Sequence, residues 1–132
     1  MKKLFICLFV IGIGLGLLRV FNYDSPLDRI SDEIGVDLKN SKVMKNEDTF
    51  GWFNDGEQFI EIKLNDSFDY TVIETSWNKL PFSNDLINLT DYVLPEIKDG
   101  YYYIESKNNF SNYTVVLIDK TNNTMYYYKY NS

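Results

Sequence analysis

The apolar positions of this chain fall into two regimes. From Leu4 to Leu18 they run on without a break, fifteen residues with no polar side chain, and after Arg19 the run resumes with Val20 and Phe21. A helix rising about 1.5 Å per residue would carry Leu4–Phe21 across roughly 27 Å, close to the roughly 30 Å of a bilayer core. Beyond residue 22 the apolar positions become short and periodic.

Leu27, Ile30 and Ile34 recur at helical spacing. Ser25 precedes them as a cap, Pro26 suits the first helical position, Asp28 sits in the first turn, and Gly35 can end the helix. Val43–Asp48 reads as an edge strand. Glu57–Leu64 alternates, with Gln58, Ile60, Ile62 and Leu64 on one side and Glu57, Phe59, Glu61 and Lys63 on the other. Asp55-Gly56 marks a turn between these two strands. Asn65-Asp66-Ser67 opens a second helix carrying Phe68, Val72 and Ile73, and Ser83 caps a short helix through Leu89. Trp77 and Leu80-Pro81 mark a bend. Three strands close the chain, at Tyr101–Ser106, Tyr113–Asp119 and Thr124–Tyr130, the last two joined by a hairpin at Lys120–Asn123.

Strands clustered late with helices interleaved early predict an α+β fold. The expectation is a mainly antiparallel sheet of about five strands with two or three short helices, preceded by one N-terminal transmembrane helix. Residues 1–22 form the anchor or signal-like segment and 23–132 a single domain. Four readings of the segment compete. An uncleaved anchor is favoured over a cleaved signal peptide, because cleavage wants small residues after the apolar run and the chain has no alanine. A lipoprotein attached through Cys7, and a helix buried in the fold, are the other two. Lys2, Lys3 and the amino terminus keep the N-terminal end in the cytoplasm and place the domain outside.

Charge narrows the partners. The formal net charge is −6, and removing Lys2, Lys3 and Arg19 leaves −9 for residues 23–132. Such a field repels phosphate backbones and anionic lipid, which argues against nucleic acid and against lipid contact beyond the anchor. The chain has no histidine, and its one cysteine, Cys7, lies in the apolar segment. The usual general base, Cys–His catalysis and Cys/His zinc sites are thereby excluded. No cofactor is implied. Carboxylates at Asp55, Glu57, Asp66 and Asp69 flank one strand, as a glycosidase pair would, but acids are so common here that chance proximity explains them better. Asn54–Glu57 and Asn65–Asp69 are oxygen-rich, yet neither has the spacing of a calcium loop, and turn chemistry accounts for both.

Phe50, Trp52 and Phe53 flank the Asp55-Gly56 turn, with Asn54 beside them. Together with Trp77 these are the candidate binding residues, as aromatic anchors for a partner. The competing reading, which is favoured, folds them back over a sheet end as core. All eleven tyrosines follow the apolar segment, and Tyr101–Tyr103 and Tyr126–Tyr128 each lie in a strand, so alternation sends rings to both faces. Five Asn-x-Ser/Thr sequons are attributed to the richness in those residues.

The stretches Asp48–Gly56, Trp77–Pro81, Leu94–Tyr102, Asn112–Asp119 and Met125–Tyr128, in this order, resemble an uncharacterised family of small proteins from Gram-positive bacteria. The resemblance runs from about Pro26 to the C-terminus. It implies an N-terminal membrane or lipoprotein segment and no particular activity. Members carry two histidines in the turn, where this chain has Phe50 and Asn54, so any role of those imidazoles is absent here. These readings converge on a membrane-tethered extracytoplasmic domain that binds an envelope or secreted protein without catalysing a reaction. An immunity-type inhibitor of a basic toxin and a carboxylate-dependent cell-wall hydrolase are the alternatives.

Overall fold

A computed structural model describes residues 25–53, 55–81, 96–107 and 111–132. The expected anchor over residues 1–22 and the expected helix at Ser83–Leu89 lie outside the described residues. Among the described residues no helix is long and apolar enough to cross a membrane.

The chain runs α1 (Pro26–Ile34), β1 (Lys42–Asp48), β2 (Gly56–Lys63), α2 (Thr71–Ser76), β3 (Asn78–Lys79), β4 (Gly100–Lys107), β5 (Asn112–Asp119) and β6 (Thr124–Asn131). The strands form one antiparallel sheet in the order β1-β2-β6-β5-β4-β3. The five expected strands are all present. The sixth, β3, has only two residues, too few to leave a periodic signal, and exists by pairing with Tyr101 and Tyr102 of β4.

α1 starts and stops where local chemistry dictates. Ser25 Oγ accepts the Asp28 amide at 3.3 Å, Pro26 follows the cap, and Gly35 takes a left-handed φ of 68° while its N–H donates to Ser31 O at 2.9 Å. Ser31 Oγ accepts the Leu38 amide at 3.1 Å, which folds the next segment back. α2 starts later than the sequence predicts. Asn65 Oδ1 takes the Ser67 amide into a side-chain turn, and Asp69 Oδ1 then takes the Thr71 amide at 2.9 Å. Two successive Asx turns use up Asn65–Tyr70, so the helix is confined to six residues.

Both helices contribute to a core laid on one face of the sheet. Ile30, Ile34, Val36 and Leu38 meet Ile73 and Trp77 over Ile60, Ile62, Val116, Ile118, Met125 and Tyr127. β5 and β6 are also buried on the opposite face, at Val115, Leu117 and Tyr128, where Phe59 of β2 joins them. Tyr113 lies on this second face, stacked on Tyr130 at 5.3 Å and tilted against Tyr128 at 6.0 Å. A centre buried on both sides explains why Val115–Ile118 is an unbroken apolar run.

Candidate functional site

Two places stand out, and both lie at the end of the sheet where β2 begins. The first is the β1–β2 hairpin. β1 is the edge strand and is exposed along nearly its whole length. A register shift between Val43 and Lys45 leaves Met44 in a bulge, with charged neighbours that discourage pairing by another edge.

The hairpin tip is stitched by its own polar groups. Thr49 N donates to Glu57 O at 2.8 Å, the Glu57 amide returns to Thr49 Oγ1 at 3.0 Å, and Gly51 N donates to Asp55 O at 3.0 Å. Asp48 Oδ1 takes the Phe50 amide at 2.9 Å. Gly56 holds a φ of 139°, and a Cβ there would stand 2.7 Å from Thr49 O, so only glycine lets the two arms approach this closely. The result is a pair of closely joined arms whose large side chains at the tip find no cover. Trp52 is exposed at 102 % and Phe53 at 91 %.

Phe50 is half-buried and Asp55 exposed at the same tip, while Asn54 lies outside the described residues. The reading of these aromatics as core therefore fails for Trp52 and Phe53. Trp77 is elsewhere. It is buried beyond the end of α2 with its ring 5.4 Å from Tyr103, and it belongs to the core, not to the tip. Apolar packing in the core claimed it, and a bare Trp in a sequence gives no sign of which side it will face.

Charge at the tip is one-sided. Between Lys45 and Lys63 the chain has five acids and no base. Lys45 itself is engaged, 3.0 Å from Glu47 and 5.9 Å from the centre of the Phe59 ring.

The second place was not foreseen. Glu33, on α1, is a half-buried carboxylate held by three strand residues. Tyr127 Oη donates to Oε2 at 2.6 Å, and Thr114 Oγ1 and Lys129 Nζ reach Oε1 at 2.8 and 3.2 Å. Burial alone would raise the pKa of Glu33. The hydrogen bonds from Tyr127 and Thr114 and the charge of Lys129 together outweigh that and hold it below the ordinary value of 4.5. Tyr127 moves the other way. Burial and the adjacent Glu33 carboxylate push its phenol far above the usual range. Alongside, Arg29 Nη2 donates to Gln58 Oε1 at 2.7 Å. The readable sign was polar residues, Gln58, Thr114 and Lys129, at strand positions whose alternation points them toward the helices.

The flanking carboxylates divide between the two ends of β2. Asp55 and Glu57 stand at its start and Asp66 and Asp69 beyond its finish, so eight strand residues put roughly 26 Å between the two sets. Among the described residues no group of three or more His, Cys, Asp or Glu is placed to hold a metal ion. No family model, curated protein or solved structure matches this chain.

Proposed function

We propose that this chain is a membrane-tethered, non-catalytic domain that captures another protein of the cell envelope through the tip of its β1–β2 hairpin. The observation that carries the reading is the full exposure of Trp52 and Phe53 at a hairpin end whose two arms are hydrogen-bonded to each other. Water gains nothing from two large exposed rings, whereas a partner's pocket gains a large apolar area from them. The hydrogen bonds among Thr49, Gly51, Asp55 and Glu57 and the close approach at Gly56 brace the arms on either side, which lowers the ordering cost of docking. Tryptophan at the centre of such a patch is the residue whose truncation most often matters.

The tether is the apolar run Leu4–Phe21, with the basic start that keeps the N-terminus inside. This also accords with the resemblance to anchored Gram-positive proteins. The test is capture of envelope proteins by the full-length chain in detergent, beside Trp52→Ala and Phe53→Ala. Loss of a specific partner in both variants supports the reading. A partner retained by both overturns the hairpin as the contact, and fractionation of the full-length chain away from membranes overturns the tether.

The rim favours one second reading. Glu47, Asp48, Asp55 and Glu57 frame the aromatic pair, which suits a socket with a basic edge, as an immunity-type protein would need against a basic toxin. That version predicts association weakening steeply between low and physiological salt. A hydrolase is less well supported. The partly buried carboxylate of Glu33 is held ionised, the wrong direction for a general acid.

A further inference from the structure

Past the end of the apolar core, the helix-covered face of the sheet turns polar in two cross-strand rows. The first runs Glu105–Thr114–Lys129–Gln58, and the second Lys107–Asn112–Asn131–Gly56. Glu33 of α1 walls one side of the resulting cavity, which has a volume of about 230 Å³. Glu105, Lys107, Asn112, Lys129 and Asn131 are among the strand residues that line it.

The existing bonds show which groups remain for a ligand. Glu33 and Lys129 are engaged with each other, and Thr114 already donates to Glu33. Glu105 accepts the Tyr103 hydroxyl with Oε2 at 3.2 Å, leaving Oε1. Asn112 Oδ1 takes the Ser132 amide at 3.1 Å, leaving its amide N–H groups. Lys107 makes no ion pair among the described residues. The first row thus offers an acceptor bearing negative charge, and the second offers a cation with amide donors.

From this separation we infer that the cavity binds a small zwitterion, its ammonium at Glu105 and its carboxylate at Lys107 and Asn112. The two rows are two residues apart along each strand, roughly 6–7 Å. That span exceeds the reach of an α-amino acid's own charged groups and matches the two ends of a dipeptide, the ligand class the site fits. The site is distinct from the Trp52–Phe53 tip and stands whether or not the tip captures a partner.

The experiment uses three probes on the isotope-labelled full-length chain in detergent micelles, with the backbone amides of Thr114, Lys129 and Asn131 as reporters. The probes are glycylglycine, acetyl-glycylglycine, which lacks the ammonium, and glycylglycine amide, which lacks the carboxylate. Saturable shifts with glycylglycine, at least tenfold weaker for each blocked probe, are the expected result. Lys107→Met should erase the preference for a free carboxylate, and Glu105→Gln the preference for a free amine, each leaving the rest of the spectrum unchanged. No saturable shift, or equal response to all three probes, overturns the proposal. So does retention of both preferences in the two variants.

Discussion

The hydroxyl of Tyr127 meets Glu33 Oε2 at 2.6 Å, joining the second-last residue of α1 to the centre of β6 across 94 residues of sequence. This bond, with those from Thr114 and Lys129, orients α1 over the sheet more specifically than the neighbouring isoleucines do. Apolar packing fixes which face is buried, and a directional bond fixes how it sits.

Glu33 therefore sets an acid limit on stability. Its folded pKa lies below its ordinary value, so its contribution is complete above about pH 4.5 and is lost as the pH falls through the lowered folded value. Glu33→Gln should destabilise by roughly 1–3 kcal/mol at pH 7. The variant should also lose less stability than the parent between pH 5 and about pH 3. Denaturant titrations across that range measure both, and an unchanged acid limb in the variant would count against the assignment.

The two tryptophans should behave oppositely. Trp77→Ala empties a buried site against Tyr103 and is expected to cost roughly 3–5 kcal/mol. Trp52→Ala removes a ring in solvent and should change stability by no more than about 0.5 kcal/mol. Parallel thermal melts separate them, and a large loss for Trp52→Ala would mean that this ring is packed.

Gly56→Ala should disorder the hairpin tip while sparing the sheet. A Cβ at that φ collides with Thr49 O and the Phe50 backbone. Hydrogen exchange at the amides of Thr49 and Gly51 should rise at least tenfold, with Ile60 and Ile62 still protected. Unaltered protection at the tip would show that the close approach is dispensable.

Asn123 is a second long-range clasp. It holds a positive φ of 52°, its Nδ2 donates to Leu64 O and Asn65 O at 3.1 Å each, and its Oδ1 accepts the Tyr70 hydroxyl. Asn123→Ala loses the side-chain bonds and disfavours the backbone angle, for a loss of roughly 2–3 kcal/mol. Asn123→Gly should recover the part due to the backbone alone. Equal stability of the two variants would remove the conformational share of that effect.

Much of the fold was legible one element at a time. The cap at Ser25, the stop at Gly35, the alternation along Glu57–Leu64 and the turn at Lys120–Asn123 are local signals, set by interactions within a few residues. Their antiparallel arrangement followed from short connections. At the site, the sequence marked the turn from Phe50 to Gly56 as unusual but favoured packing its rings inward, which Trp52 and Phe53 do not do. It also grouped Trp77 with them, since residue type alone carries no direction.

What only the tertiary structure decided is what depends on partners far apart in the chain. β3 exists through its pairing with β4, Trp77 is buried with its ring against Tyr103 of β4, and the pKa of Glu33 stays low despite burial because Tyr127, Thr114 and Lys129 converge on it. The same holds for the polar cavity, assembled from one helix and three strands. Periodicity and capping act through neighbours in sequence, whereas a carboxylate's environment and a ring's exposure are set by whatever folding brings alongside.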